Sequence, residues 1–250
     1  MATSQCARYV HNPKRSHKLA LIQIGWYLKE TLDKGLILNP IDTESLWTDV
    51  YVDAAFACGW GNELGTNPDS VKSRTGYIAN IADCPVIWVW KLQSTVATST
   101  MESEYTAMSM AMRSMVPLLA VIESVSGELQ YTKHKLLTFK ATLHEDNQGA
   151  LILAKLKDGR HTLRSKFYAI KLHWFCSWLK PQAIELQFIK THLQRADFLK
   201  KLQPPGPLST QQGIVYRMVV MFSFSLNDFC SRGSIKALSW QSKWSVCIAN

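Results

Sequence analysis

The stretch WTDVYVDAAFA, residues 47–57, decides how the rest of the chain is interpreted. It is rich in β-branched and aromatic residues, which favours a β-strand. Asp53 interrupts the apolar run VYVDAAFA, residues 50–57, and a loop containing Gly, Asn and Pro follows from Gly59 to about Ser70. A carboxylate near a protein core costs desolvation energy unless something pairs with it. Asp53 is therefore either an edge-strand acid or a ligand for a cation.

Downstream of this strand, the sequence predicts two more strands and then helices alternating with strands. The two strands lie near Thr75–Ile81 and Val86–Lys91, with Cys84-Pro85 as the turn between them. A helix starts near Thr100, and Pro117 is expected to kink or break it. Its apolar residues recur at helical spacing and indicate core packing: Met101, Tyr105, Met108, Met112, Met115 and Leu119.

The predicted elements that follow complete an alternating pattern. They are a strand over 137–146, a helix from Gln148 to Lys155 capped by Asn147, a basic aromatic helix from about Leu163 to Leu179, a strand at Ile184–Ile189 and a short helix near Arg195–Lys201. Strands that first meander and then alternate with helices predict an α/β domain with a mixed sheet. Upstream, residues 16–34 have the pattern of an amphipathic helix, with Ser16 as a plausible N-cap.

Composition narrows the class of protein. The formal net charge of +9 and the pI of about 9.3 favour polyanionic partners such as nucleic acid, although a solvated basic surface explains the charge equally well. The six cysteines form no Cys-x-x-Cys pair and are interpreted as thiols of a reducing compartment. Neither a secretory signal nor a membrane span is predicted. We therefore expect an intracellular protein, in the cytoplasm or nucleus, without a membrane partner.

Four acidic residues occupy positions where acids pack poorly: Asp53, Glu104, Asp146 and Asp197. Carboxylates brought together repel one another, and a divalent cation relieves that repulsion. Oxygen ligands without a Cys or His cluster point to Mg²⁺ or Mn²⁺. Taken singly, each acid has a simpler explanation: Asp146 and Asp197 suit helix N-termini, Asp53 an edge strand and Glu104 a first helical turn.

Two neighbouring acids are set aside on geometry. At about 100° per helical residue, Glu104 borders the apolar stripe of its helix, whereas Glu102 faces water. Asp146 is preferred over Glu145 because it lies at the carboxyl end of its strand, where α/β sheets place ligands.

Six segments resemble, in family order, the copia-type retrotransposon polyprotein at the end of its reverse transcriptase and through its ribonuclease H domain. The match runs from about Gln5 to Leu202. The segments are QCARYVHNPKRSH followed by GWYLKETLDKGLIL, YVDAAFA, SRTGY with CPVIWVWKLQSTVATSTMESEYTA, EDNQGALILAK, RSKFYAIKLHWF and THLQRADFLKK.

The resemblance implies a ribonuclease H-like α/β fold, with a mixed five-stranded sheet flanked by helices, an N-terminal connection helix and an irregular C-terminal tail. It divides the chain into a reverse-transcriptase connection segment over 1–45, a ribonuclease H-like domain over 46–202 and a tail over 203–250 that we expect to be poorly ordered. The tail begins with the linker-like QPPGPLSTQQG.

The resemblance also implies the activity, which is cleavage of the RNA strand of an RNA–DNA hybrid. Asp53, Glu104, Asp146 and Asp197 would be the catalytic metal ligands. Two Mg²⁺ ions about 4 Å apart would activate water and stabilise the leaving oxygen, with Asp53 bridging both ions. A basic set would hold backbone phosphates, although an ordinary solvated helix face remains an equal interpretation: Arg164, Lys166, Lys171 and His173.

Departures from the family pattern support an alternative. Ala55 stands where an Asp is usual, Phe167 where a His is usual, Lys200 in place of Thr and Leu202 in place of Pro. The polymerase palm is absent, so we expect no DNA synthesis, and a separate polymerase portion of the polyprotein is a candidate partner. The alternative is a catalytically inactive retroelement remnant that keeps the fold and nucleic-acid binding. A protein-interaction module using the apolar tail is a third interpretation.

Overall fold

Five β-strands and five α-helices form the part of the chain that the computed structural model describes, which is residues 2–30, 32, 38–40, 46–60, 67–128, 139–155, 169–179 and 184–199. The strands are β1 (Leu46–Ala55), β2 (Arg74–Ile81), β3 (Cys84–Leu92), β4 (Phe139–Glu145) and β5 (Ile184–Phe188). The helices are α1 (Ala2–Ala7), α2 (Arg15–Glu30), α3 (Thr100–Glu128), α4 (Gln148–Ala154) and α5 (Ala169–Leu179). Short 3₁₀ helices lie at Pro68–Val71, Thr191–Leu193 and Arg195–Leu199.

The strands form one mixed sheet in the order β3-β2-β1-β4-β5. β1 pairs antiparallel with β2, and β2 pairs antiparallel with β3. On its other side β1 pairs in parallel with β4, and β4 pairs in parallel with β5. An antiparallel meander that continues into parallel strands joined by helices is the ribonuclease H-like arrangement, so the predicted fold class is confirmed.

The hydrophobic core lies between one face of this sheet and helices α3, α4 and α5. Side chains along a strand alternate between its two faces, so Val50, Val52 and Ala54 of β1 all point into the core and are at most 5% exposed. The methionines of α3 lie in this core, as their spacing predicted. The buried stripe of the helix comprises Tyr105, Met108, Met112, Met115 and Leu119.

β2 and β3 are joined by the two-residue turn Ala82-Asp83, and the predicted turn at Cys84-Pro85 is wrong. Ala82 and Asp83 have positive φ angles of 47° and 66°, as the central residues of a tight hairpin turn require. Pro85 instead lies within β3, opposite Asn80 and next to an irregularity in the register. A proline is tolerated there because β3 is an edge strand.

Helix α3 continues through Pro117, so of the predicted kink or break the break is wrong, and the kink remains a prediction. The missing amide of a proline deprives the carbonyl four residues earlier, here that of Arg113, of its helical donor. Both residues are exposed, so water can take the donor's place, and Leu119 beyond the proline still packs in the core. Residues Thr100–Ser126 are long and apolar enough to cross a membrane, but the core helices of globular domains often share these properties. In this structure α3 packs on β1 and β2.

The predicted N-terminal helix is present as α2, but its start differs from the prediction. α2 begins at Arg15, so Ser16 lies inside the first turn rather than at the N-cap. The ring of His17 takes a capping role instead, because its Nδ1 accepts a hydrogen bond from the amide of Lys14 at 2.9 Å. Of the predicted helix over 16–34, the residues after Glu30, except residue 32, lie outside the described part of the chain.

The predicted division into three segments remains a prediction. Residues 200–250, which include the tail, lie outside the described residues. Within the described part, the N-terminal segment contacts the following domain through an ion pair between Arg8 Nη2 and Asp69 Oδ2 at 3.6 Å. The predicted short helix near Arg195–Lys201 is a 3₁₀ helix over Arg195–Leu199.

That 3₁₀ helix packs on the face of the sheet opposite α3. The Arg195 guanidinium lies over the ring of Tyr51, 5.0 Å from its centroid, and forms a close ion pair with Asp83 in the β2–β3 turn. These contacts fix the segment over β1 and β2, and the segment carries Asp197 to the carboxyl end of β1.

Candidate metal centre

Two predicted ligands lie where β1 and β4 separate. The parallel ladder between these strands ends at the pair Tyr51↔His144. Asp53 follows on β1, and Asp146 comes directly after β4. Beyond the last ladder pair, the carboxyl ends of these two parallel strands leave a crevice, and both carboxylates lie in it.

Asp146 is held between β4 and α4 by the cap of that helix. The side-chain oxygen of Asn147 accepts a hydrogen bond from the amide of Ala150 at 3.1 Å, so the predicted N-cap is confirmed. A capped helix start directly after the strand leaves Asp146 little conformational freedom.

Glu104 reaches the same crevice from the start of α3. The side-chain Nε2 of Gln93 donates to the Ser103 carbonyl at 2.9 Å and to Thr75 Oγ1 of β2 at 3.1 Å. The backbone amide of Ala54 donates a hydrogen bond to the Glu104 carboxylate. These bonds tie the beginning of α3 to the ends of β1 and β2.

Glu102 has a different role, at the helix terminus. Its Oε2 accepts hydrogen bonds from the amide and the hydroxyl of Thr98, both at 2.8 Å. The Ser99 hydroxyl in turn accepts the amide of Glu102 at 3.1 Å. Glu102 therefore caps α3, while Glu104 turns into the crevice.

The structure brings together Asp53, Glu104 and Asp146, each of which offers an oxygen within 4.8 Å of the others. Asp53 is 1% and Glu104 8% exposed, and Oε2 of Glu104 is buried without a hydrogen bond in the described structure. Burial, reinforced by the charges of Glu145 and Asp146, raises the pKa of Glu104 well above its usual range. Crowded carboxylates that include a buried oxygen without a donor fit a hard divalent cation.

Asp197, the fourth predicted ligand, is not part of this close group. It lies half-buried on the 3₁₀ helix Arg195–Leu199. Its negative charge contributes to the raised pKa of Glu104, which places it near the cluster. The structure thus gathers three of the predicted acids and puts the fourth at their margin.

Glu145, the last residue of β4, is a further acid at this place that the sequence did not predict as part of the site. It is fully buried, and its Oε1 accepts the amide of Asn147 at 3.0 Å. Burial raises the pKa of Glu145, and the charge of Asp146 adds to the effect. The alternation of β4 carried the signal, because Ala141, Leu143 and Glu145 share the core face.

One of the predicted nucleic-acid-binding residues is described in full. The ammonium group of Lys171 on α5 lies 3.3 Å from Thr106 Oγ1 of α3 and 3.5 Å from Thr95 Oγ1. It therefore lies beside the helix end that carries Glu104. Arg164, Lys166 and the side chain of His173 lie outside the described structure.

The fold and the cluster define a class, a ribonuclease H-like α/β domain with an acidic centre suited to a divalent cation. Its homologues are retrovirus-related Pol polyproteins of copia-type transposons, which confirms the resemblance seen in the sequence. The chain is 26% identical over 204 residues to the Retrovirus-related Pol polyprotein from transposon TNT 1-94 of Nicotiana tabacum. It is 28% identical over 206 residues to those from transposons RE2 and RE1 of Arabidopsis thaliana.

These alignments cover 80–81% of the chain, but the chain spans only 12–14% of the length of these relatives. No protein-family model matches it. Among solved structures, it is similar to LC11-RNase H1 in complex with an RNA/DNA hybrid, with 17% identity, a TM-score of 0.34 and coverage of 60% of this chain and 91% of the other. It is also similar to a second structure of LC11-RNase H1, isolated from compost. The identity is 15%, the TM-score is 0.35, and the match covers 63% of this chain and 93% of the other.

Proposed function

We propose that the chain is the ribonuclease H portion of a retrotransposon-derived polyprotein and hydrolyses the RNA strand of RNA–DNA hybrids. The observation that carries this proposal is the meeting of Asp53, Glu104 and Asp146 within 4.8 Å at the carboxyl ends of β1 and β4 in a ribonuclease H-like sheet. The Pol polyprotein relatives support it.

The cofactors in this proposal are two divalent cations, Mg²⁺ or Mn²⁺. Asp53, Glu104 and Asp146 would hold them, with Asp53 shared and Asp197 completing the ligand set. An all-oxygen donor set favours these hard cations over zinc. When bound, such ions supply Lewis-acid activation of a phosphodiester and of a water nucleophile.

The protein's own part is to hold the carboxylates in place before substrate arrives. Asp53 is fixed on β1, and the Ala54 amide fixes Glu104. Asp146 and Asp197 are only half-buried, so they mark the open side from which a phosphodiester can approach. Acids held in position by hydrogen bonds and packing need little reorganisation during the reaction.

Substrate binding would rest on positive charge beside this open side. Lys171, on α5, lies beside the start of α3, and we propose that it contacts backbone phosphates together with Arg164, Lys166 and His173. Contacts to 2′-hydroxyl groups would distinguish the RNA strand from DNA. A polymerase portion of the polyprotein is the partner that would supply the hybrid.

The test is a cleavage assay on the purified full chain. Labelled RNA–DNA hybrid, duplex RNA and duplex DNA are incubated with Mg²⁺, with Mn²⁺ or with a chelator. We expect cutting of the RNA strand in the hybrid alone, and only with a divalent cation. Asp146→Asn should lower the rate by more than about a hundredfold, beyond the usual effect of losing an outer-shell partner.

The matched control is Glu185→Gln, which neutralises an exposed acid on β5 and should leave the rate unchanged. A folded chain that cuts no hybrid with either cation contradicts the proposed nuclease. If that chain still binds hybrid in a salt-sensitive way, the inactive remnant is the correct interpretation.

A further inference from the structure

The carboxamide of Gln194 lies at the point where the parallel ladder ends. Its Nε2 donates to the Val52 carbonyl at 2.8 Å and approaches the His144 carbonyl at 3.5 Å. Val52 directly precedes Asp53, and His144 lies two residues before Asp146. The side chain therefore bridges the two strands just before each delivers a carboxylate.

The same carboxamide also holds the segment that carries Asp197. Its Oε1 accepts the amide of Ala196 at 3.3 Å, and the Gln194 carbonyl accepts the amide of Asp197 at 3.2 Å. Gln194 is 2% exposed and Ala196 is completely buried. A buried side chain with both ends hydrogen-bonded has little freedom, and it restricts the segment attached to it.

We propose that Gln194 is the positioning residue that sets the distance between β1, β4 and the Asp197 segment, and thereby the shape of the metal centre. This inference rests on the proposed function, because it assigns the residue a role toward that centre. The amide group supplies a donor beyond Tyr51↔His144, the last pair of the β1–β4 ladder, and the Val52 carbonyl accepts it. Asp197 then lies at the margin of the cluster without belonging to either strand.

The experiment compares two substitutions with a matched control in the full chain. Gln194→Met keeps the approximate length and removes every hydrogen bond of the side chain, and Gln194→Glu keeps the shape and removes the donors. Gln187→Met changes an exposed glutamine on β5. Native-state amide exchange by NMR, Mn²⁺ binding by calorimetry and the kcat and KM of hybrid cleavage are measured well below the unfolding temperature.

We expect the amides of Ala196 and Asp197 to exchange about fivefold to tenfold faster in Gln194→Met, with Leu143 in the middle of β4 unchanged. Mn²⁺ affinity should fall by about tenfold or more, as for other residues that orient metal ligands. The kcat should fall while KM changes little, and Gln187→Met should match wild type. A merely structural role would instead accelerate exchange throughout the sheet.

Unchanged exchange and unchanged Mn²⁺ affinity in folded Gln194→Met overturn the inference. If this variant does not fold, Gln194→Glu is judged by the same two measurements. A wild-type chain that binds no Mn²⁺ and cuts no hybrid contradicts the proposed function separately. The exchange rates of Ala196 and Asp197 then decide alone whether Gln194 holds their segment.

Discussion

Two glutamates at the end of the sheet, Glu104 and Glu145, are buried close enough for their charges to interact. Burial disfavours the charged form, so the pKa of each is raised, and the charge of Glu145 raises the pKa of Glu104 further. A cation held by Asp53, Glu104 and Asp146 would favour the charged form and release protons on binding. The ion would therefore offset the repulsion created by gathering these acids.

The raised pKa values predict that the chain without divalent cations loses stability as pH rises. A carboxyl whose pKa is raised on folding binds more protons in the native than in the unfolded state. The free energy of unfolding therefore falls with pH from about 4.3, the ordinary glutamate value, up to the raised pKa of Glu104 and Glu145. Thermal unfolding in chelator should give a lower Tm at about pH 8 than at about pH 6. The difference should be a few degrees for each loss of about 1 kcal/mol in the free energy of unfolding.

Two further measurements test whether the acids of the cluster cause this pH dependence of Tm. Saturating Mg²⁺ should raise Tm more at the higher pH, since the cation binds the charged acids. Glu145→Gln should flatten the pH dependence in chelator because it removes one of the titrating groups. A Tm that rises with pH in chelator would show that these acids are not buried as described.

Among the elements, α3 has the largest part in building the site. Gln93, 1% exposed, ties its first turn to β2, and Ala54 holds its glutamate. The core stripe of the helix packs on β1 and β2 and fixes its direction. Because hydrogen bonds hold its first turn and core packing holds its length, α3 places Glu104 at the crevice with little freedom.

The same helix carries a proline that costs it stability. Pro117→Ala should restore the hydrogen bond to the Arg113 carbonyl and raise the free energy of unfolding by up to about 3 kcal/mol. Urea denaturation monitored by circular dichroism measures the change. The matched control is Val121→Ala, at an exposed position one turn later, where a change of only a few tenths of a kcal/mol is expected.

An unchanged or lower stability of Pro117→Ala would contradict this account. It would mean that the helix has adapted to the proline, for instance by a distortion that alanine does not relieve. The hybrid-cleavage rate should stay the same in both variants, because Pro117 lies in the half of α3 away from Glu104.

At the scale of the whole molecule, a net charge of +9 coexists with a cluster of acids, two of them buried and one half-buried. Positive charge draws a polyanion to the protein surface, whereas the acids would repel its phosphates unless cations lie between them. In the proposed function, the overall charge would serve hybrid binding and the local acids would serve the chemistry. Lys171 is a described basic residue close to the start of α3, so it lies near the acidic cluster.

The logarithm of the hybrid binding constant should fall linearly with the logarithm of the salt concentration. Lys171→Ala should make this slope shallower by about one. The measurement is a salt titration of hybrid affinity in Ca²⁺, chosen to retain the acid site without supporting cleavage. Lys155→Ala, at the carboxyl end of α4 away from Asp146, is the control and should keep the wild-type slope. Equal slopes for wild type and Lys171→Ala would exclude a phosphate contact by Lys171.

The sequence predicted the order and type of most elements because local patterns determine them. The alternation in WTDVYVDAAFA, the spacing of the α3 methionines and the Asn147 cap are short-range features that survive in the fold. The wrong predictions concern features that local patterns do not determine. The Ala82-Asp83 turn and the continuous helix through Pro117 depend on strand pairing and on core packing, which local preferences do not contain.

By itself, the sequence determined the strands and helices, the class of sheet and four acids as candidate ligands, since these follow from periodicity, residue chemistry and a recognisable order of motifs. Only the tertiary structure decided that Asp53, Glu104 and Asp146 meet, that Asp197 stands at their margin and that Glu145 and Gln194 lie buried beside them. The reason is physical. Which side chains approach one another across some 145 positions of chain depends on how strands pair and where they separate, and these are contacts between residues far apart in sequence.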